Sequence, residues 1–381
     1  MTIKISKATL YNTIKELIPQ ARIAKKCKTF DNFLYCCEDW NSNPWDNGKF
    51  CIIYASIFKQ AECRIDSIRQ ILNQLQTFIS MCLQNQLTGR FYNLSHLATI
   101  EVSGDDASQF LQGQLTCNIN DISEVKASIA AFCNAKGRVI STLIVAKAQQ
   151  SFLLILPESL AETVRKRLQL YVLRSKVKLT ISANLSLYGV FGTYLEQKIA
   201  LPEESFGCSR SQNLTCIKMP SEKPRFIVVA YSTANEISLF DGVQNGALSE
   251  WRYQDISTGF PWLAASQTEA YIPQMLNIDH LGGISFNKGC YTGQEIVART
   301  HYLGKSKRQL YVAECDVNFP PDAEISVLSA ENQTKCGEIV ALQALGQNTR
   351  LLIVLQTVDD SLKNLILSNL EHTPITLIAY Q

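Results

Sequence analysis

The 381-residue sequence has no run of about 18 consecutive apolar residues, so no membrane-spanning helix is predicted. Its amino terminus lacks the apolar segment of a secretory signal, and we therefore expect a cytoplasmic protein whose thiols are reduced. The thirteen cysteines include no C-x-x-C pair, so the sequence lacks the spacing that is typical of zinc sites and of redox-active dithiols. With 46% hydrophobic and 18% charged residues, the composition is that of a folded globular protein.

The net charge is only +2, which by itself indicates no nucleic-acid or membrane surface. The first 92 residues are basic on balance and the remainder is acidic. Six cysteines fall in that basic part. Because their spacing is irregular, a metal or cluster site there is a weaker interpretation than a set of reduced thiols. No RNA-binding motif is present, so direct RNA binding is not expected.

Apolar periodicity divides the chain into regions of different character. Residues 6–26 and a stripe of isoleucines and leucines over 65–79 have helical spacing, whereas strands are predicted at 97–102, 129–133, 138–146 and 151–156. Asp105 and Asp106 are expected to cap a short helix, and a capping box at Ser159 and Glu162 to start a longer one. Its predicted buried stripe is Leu160, Val164, Leu168 and Tyr171.

After residue 304 the helical signals stop, and the strand-like runs predict a small β-barrel or jelly roll. Paired strands together with one-sided helices favour an α+β fold over a doubly wound sheet.

The most informative stretch is residues 288–295, which hold a lysine, a cysteine and a glutamate, with two glycines breaking up the run. Lys288, two residues before Cys290, can stabilise a thiolate, which is the reactive form of the sulfur. An arbitrary free cysteine is more often a buried apolar residue. A glycine-flanked polar turn is not a typical core setting, however, so a reactive Cys290 is predicted.

The longer run 271–299 resembles the signature of the YgfZ family, as do the FLQGQLT segment at 110–116 and the turn at 134–137. The resemblance starts near residue 94. It implies a ring of three domains like that of the glycine-cleavage T-protein, which holds tetrahydrofolate in its central opening, and a role in maintaining iron–sulfur enzymes. The implied division is 1–93 as a partly helical extension, 94–145 with 245–303 as the folate-binding-type domain, 146–244 as a second α+β domain, and 304–381 as the barrel.

Two departures from the T-protein pattern affect the expected chemistry. Ser141 and Thr142 stand where T-proteins carry an acidic pair, and a hydroxyl cannot supply an anion near neutral pH, so glycine-cleavage aminomethyl transfer is not expected. Ser257 stands where the family has a glutamate that bonds the pterin ring. Asp255 is two residues earlier, on the same face if the segment is a strand, and is the candidate to replace it.

The resemblance assigns Cys290 as the essential group, with Lys288 tuning it. Tyr291 and Phe286 are each expected either to stack on a pterin or to pack in the core. Glu295 is expected either to position an amine or to form a surface ion pair. Arg299 belongs to a basic stretch with Lys305, Lys307 and Arg308. This stretch is expected either to bind the folate tail or a phosphate, or to be an ordinary solvated turn.

A single cysteine cannot hold an iron–sulfur cluster, which typically takes four ligands, so any cluster here is transient or shared. The favoured interpretation is a folate-binding accessory protein for assembly or repair of iron–sulfur enzymes, which affects tRNA modification indirectly. Its expected partners are client enzymes or cluster carriers. The alternative is a folate-dependent one-carbon transferase acting on another substrate.

Overall fold

The computed structural model describes residues 89–379, apart from short gaps at 198, 212, 232–239, 241–242, 305, 321–323, 357–363 and 370. The helices expected within 6–26 and 65–79, the six amino-terminal cysteines and Lys305 lie outside the described residues. Among the described helices, none is long and apolar enough to cross a membrane.

The elements follow one another as a strand-rich chain with few helices. The first group comprises β1 (Arg90–Asn93), β2 (Leu97–Ser103), α1 (Ala107–Gln112), β3 (Ser128–Cys133), β4 (Val139–Ala148), β5 (Ser151–Pro157), α2 (Glu158–Val172) and β6 (Lys178–Ile181). The second comprises β7 (Leu185–Phe191), β8 (Cys208–Arg210), β9 (Leu214–Lys218), β10 (Arg225–Tyr231), β11 (Gln244–Asn245), α3 (Leu248–Ser257) and α4 (Gln294–Tyr302). The third comprises β12 (Arg308–Cys315), β13 (Ser326–Ser329), β14 (Lys335–Leu345), β15 (Asn348–Gln356), β16 (Leu365–Leu367) and β17 (Pro374–Ile378). Short 3₁₀ turns lie at Ile119–Asp121, Tyr194–Gln197, Ala265–Gln267 and Pro273–Leu276.

The first sheet has the order β3-β4-β5-β2-β6 and is antiparallel throughout. Its central strands β4 and β5 are buried almost along their whole length, which is why apolar residues dominate their sequences without strict alternation. Helix α2 packs against this sheet. Its buried face repeats every four residues, at Leu160, Val164, Leu168 and Val172.

The second sheet has the order β11-β1-β7-β10-β9-β8, with only the β1–β11 pair parallel. Strand β1 therefore belongs to this sheet, although the sequence analysis placed residues up to 93 in an extension. The boundary expected between 145 and 146 falls inside β4, and β5 and β6 continue the same sheet. Sheet membership thus divides this part of the chain differently from the domain limits that the resemblance implied.

The carboxy-terminal strands close into a six-stranded barrel in which β12 pairs with both β15 and β17. The expected β-barrel is confirmed. Strands β13 and β16, which are three or four residues long, were not predicted. Helix α3 contacts β14 and β15 of the barrel and also β1 of the second sheet, so it joins the two.

Both helix-capping predictions are wrong. Asp106 precedes α1 but makes no side-chain capping bond, because its Oδ2 accepts a hydrogen bond from the backbone N–H of Lys176 at 2.7 Å. Helix α2 begins at Glu158, directly after Pro157, so Ser159 lies inside the first turn. The predicted buried position at Tyr171 is also wrong: Val172 takes that place, and Tyr171 is 44% exposed.

Candidate functional site

The 288–295 loop runs into α4 through Gly293, whose φ of +85° favours glycine. A Cβ at Gly293 would lie 2.5 Å from the carbonyl oxygen of Asn134, so the loop packs directly on the turn at 134–137. Gly137, in that turn, has φ +66° and would bring a Cβ to 2.9 Å from Ile296. Two glycines therefore permit the close approach of the turn and the loop.

The same loop is fastened to the 113–117 segment, which overlaps the FLQGQLT run. The backbone N–H of Thr292 donates to the carbonyl of Gly113 at 3.2 Å. Lys288 Nζ donates to the carbonyls of Leu115 and Cys117, both at 2.7 Å. All three segments that carried the family resemblance therefore meet at one place in the fold.

Cys290 is exposed, and it is the only exposed thiol among the cysteines of the described residues. Most of the others are buried, and burial raises the pKa of Cys117, Cys208 and Cys216 to about 12, which leaves them as inert thiols near neutral pH. The accessibility that a reactive cysteine requires is therefore met at Cys290.

Lys288 is half-buried, and burial lowers the pKa of its ammonium to about 8. Its side-chain hydrogen bonds within the described chain go to backbone carbonyls of another segment, not to the sulfur of Cys290. Sequence reasoning missed these partners. A backbone carbonyl carries no residue-type signal, and only the nearby FLQGQLT motif pointed to the segment that supplies them.

Tyr291 was expected either to stack on a pterin or to pack in the core. It packs in the core, with 5% of its surface exposed. The ammonium of Lys288 lies 5.1 Å from the centre of its ring. Its hydroxyl is buried and has no hydrogen-bond partner in the described residues, and burial raises its pKa. Phe286 stacks on His301 with ring centres 3.8 Å apart.

Glu295 and Arg299 form an ion pair of 3.1 Å one turn apart on α4, with 82% and 61% of their side chains exposed. Such a pair contributes little to stability because water screens it. Arg308 lies 3.9 Å from Glu338 of the barrel, and Lys307 is exposed. The arrangement matches the surface ion pair that was one of the two expectations for Glu295.

Asp255 does not occupy the place expected of it. The segment is helix α3, not a strand, and positions two apart on a helix do not share a face. Its carboxylate is buried, bound to Arg225 at 2.5 Å and to the indole N–H of Trp262 at 3.2 Å. Burial raises the pKa of Asp255 and the neighbouring Arg225 opposes that rise. A carboxylate committed in this way is not available to a pterin ring.

Ser141 and Thr142 lie in the middle of β4 and are fully buried. The hydroxyl of Ser141 donates to the carbonyl of Thr142 at 2.9 Å, and that of Thr142 donates to the carbonyl of Pro261 at 2.5 Å. Both hydroxyls are therefore engaged with backbone acceptors. In the described residues, no group of three or more His, Cys, Asp or Glu side chains is placed to hold a metal ion.

Comparison with known proteins agrees with this convergence of motifs. Residues 86–193 match the model of the GCVT N-terminal domain. The tRNA-modifying protein YgfZ of Colwellia psychrerythraea is 33% identical over 65% of this chain and 79% of its own. That of Cronobacter sakazakii is 32% identical over 70% of this chain and 84% of its own. The chain belongs to the YgfZ family.

The fold of this YgfZ-family member is also that of a solved aminomethyltransferase. Glycine cleavage system aminomethyltransferase T from Bartonella henselae superimposes with a TM-score of 0.64, covering 78% of this chain and 87% of that one. Only 14% of the aligned residues are identical, so the likeness shows the fold alone. The predicted aminomethyltransferase-like fold is confirmed.

Proposed function

We propose that this YgfZ-family protein is a cytoplasmic, folate-binding accessory factor for the assembly or repair of iron–sulfur enzymes, and that it influences tRNA modification through those clients. The observation that carries the proposal is the exposed thiol of Cys290 on a loop fastened on both sides. Lys288 and Thr292, each two residues from Cys290, are the fastened positions. The sulfur is therefore held at the surface by an anchored loop.

One thiol suits a transient role in handling a cluster. A cluster takes about four ligands, and Cys290 supplies one from the described residues. The cluster is accordingly a cargo whose other ligands belong to a client enzyme or a carrier protein. A thiolate is a soft ligand for iron and also exchanges with other thiols, so both assembly and repair fall within its chemistry.

The alternative, a folate-dependent one-carbon transferase, needs an anion or base at the position of Ser141 and Thr142. Both hydroxyls are sealed in β4 and donate to backbone carbonyls, which disfavours that mechanism. It predicts that the purified protein alone turns over a folate adduct. Absence of such turnover, together with folate binding, supports the accessory role.

Replacing Cys290 with alanine tests the accessory role directly. Cys290→Ala is expected to abolish rescue of iron–sulfur enzyme activity in a strain that lacks this gene, because the cargo loses its ligand. Cys336→Ala is the matched control, since Cys336 is a half-buried thiol of the barrel far along the chain. Full rescue by Cys290→Ala, at normal protein level, would remove the proposed role of the thiol.

A further inference from the structure

A cavity of about 300 Å³ lies next to the segment that leads into the 288–295 loop. We call it the loop-side pocket. One of its walls comes from residues 118–128, which include a 3₁₀ turn and the start of β3, and the other comes from residues 282–287. Ligand sites range from about 300 to 1,000 Å³, so this pocket suits a molecule as small as an amino acid or a short peptide.

The two walls are joined by hydrogen bonds just outside the pocket. The hydroxyl of Thr116 donates to the carbonyl of Gly283 at 2.6 Å, and the backbone N–H of Ser285 donates to the carbonyl of Thr116 at 2.9 Å. The bond from Lys288 Nζ to the carbonyl of Cys117 lies at the same junction. The pocket is therefore held open by the fold, and a ligand does not have to organise it.

Two side chains of opposite charge line this pocket, namely Lys126 and Asp121. Both are exposed, and within the described residues they form no ion pair with each other or with another side chain. A lysine and an aspartate that do not neutralise each other leave a separate cation and a separate anion for a ligand.

The carboxylate of Asp121 is held in one direction by a relay of side-chain amides. Asn118 Nδ2 donates to Asp121 Oδ1 at 2.8 Å, and Asn118 Oδ1 in turn accepts from Gln112 Nε2 at 2.8 Å. Ser285 and Asn287 of the opposite wall add a hydroxyl and an amide to the lining. The pocket is consequently polar, charged with both signs and partly pre-organised.

These groups match a zwitterion. An α-amino acid, or a short peptide with a free amino-acid end, carries the ammonium for Asp121 and the carboxylate for Lys126. Asn287 of the pocket is three residues before Cys290, and three residues extend over at most about 11 Å. A tripeptide reaches about 10 Å, so a ligand held by its charged end can bring a sulfur to the exposed thiol.

We propose that the loop-side pocket binds a zwitterionic low-molecular-weight thiol, either cysteine itself or a short thiol peptide, and directs its sulfur to Cys290. The inference rests on the proposed function and deepens it, because it names the class of small thiol with which Cys290 exchanges. In that exchange the Cys290 thiolate attacks one sulfur of the ligand's disulfide. One S–S bond breaks as another forms, and the departing thiolate takes up the proton that Cys290 lost.

The test measures the rate at which Cys290 of the reduced full-length protein forms a mixed disulfide at about pH 8. The disulfides are oxidised glutathione, cystine and the uncharged 2-hydroxyethyl disulfide, and peptide mapping by mass spectrometry identifies the adduct at Cys290. Each rate is divided by that of a small reference thiol, N-acetylcysteine, which removes the intrinsic reactivity of the disulfide. The normalised rate with oxidised glutathione or cystine is expected to exceed that with the uncharged disulfide by about fivefold or more.

Charge-removing variants then show whether the pocket causes the preference. Lys126→Gln and Asp121→Asn are each expected to slow exchange with the preferred disulfide about fivefold and to leave the uncharged disulfide unaffected. Lys178→Gln is the matched control, because Lys178 is an exposed lysine on β6, at the opposite edge of the sheet from β3. Asp121→Asn separates recognition from simple attraction: oxidised glutathione is a net anion, so loss of a negative charge would speed a merely attracted reaction.

Each outcome has a definite reading. A preference for oxidised glutathione identifies a short peptide as the ligand, and a preference for cystine alone identifies the single amino acid. Equal normalised rates with all three disulfides, or faster exchange in Asp121→Asn, would overturn the pocket assignment and leave the proposed function intact. No adduct at Cys290 with any disulfide would count against the reactive thiol of the proposed function as well.

Discussion

Lys288 gives the sharpest prediction about the loop, because its ammonium is half-buried and its hydrogen bonds are known. Its pKa is about 8 in the folded protein, against 10.5 for an ordinary lysine. Between these values the unfolded chain binds more protons than the folded one, so the free energy of unfolding rises with pH. Below about pH 8 both states are protonated, and the cost of burying the charge is fully present.

The size of this effect follows from the shift. A pKa difference of this size corresponds to at most about 3 kcal/mol, at about 1.4 kcal/mol per pH unit. Because water reaches part of the side chain, we expect about 1–2 kcal/mol in practice. The neutral amine still has two N–H donors for the carbonyls of Leu115 and Cys117, so both bonds survive deprotonation.

The assay is urea denaturation of the wild-type protein and of Lys288→Met at about pH 7 and about pH 10. Methionine keeps the unbranched chain but has neither charge nor donors. The wild-type protein is expected to gain about 1–2 kcal/mol relative to the variant over this interval. Lys307→Met, which removes an exposed lysine, is the control and should show no such gain. A wild-type advantage that stays constant or shrinks with rising pH would refute the buried-ammonium reasoning.

Three further substitutions test other contacts. Asp255→Ala should lower the free energy of unfolding by about 3–5 kcal/mol, because it leaves the buried guanidinium of Arg225 unpaired; in urea denaturation, a loss below about 1 kcal/mol would contradict this. Leu173→Gly should raise stability by up to about 1 kcal/mol through relief of its positive φ, and a lower thermal midpoint would argue against strain there. Glu295→Ala should change stability by less than about 0.5 kcal/mol, because its pair with Arg299 is exposed; a larger loss by the same assay would reveal a structural role.

The sequence was informative where a pattern is local. Strands β4 and β5 are predictable because most of their residues are apolar. The barrel is predictable because strand-like runs follow one another without helical spacing. The meeting of the 288–295 loop with the turn at 134–137 could be expected from their shared family pattern. The glycines at 137 and 293 then explain physically why the contact is so close.

The environment of Asp255 could not be read in the same way. Arg225 lies 30 residues earlier in a different element, β10, and no spacing rule connects it with α3. The helix itself was missed because its apolar residues do not follow a clear helical period. Tyr171 was misplaced for a related reason: periodicity along α2 allows either Tyr171 or Val172 on the buried face, and packing at the helix end decides between them.

Lys288 and Cys290 show how these two kinds of information combine. A lysine two residues from a cysteine suggests an activated thiolate, yet the amine is bonded to carbonyls of the 113–117 segment. Lys288 is therefore better understood as an anchor than as the counter-ion of the sulfur. Thr292 is bonded through its backbone on the other side, so the loop presents an exposed sulfur between two anchored residues. An accessible thiol between two anchored residues has little conformational entropy to lose on binding a partner, which is what the proposed role as a transient ligand requires.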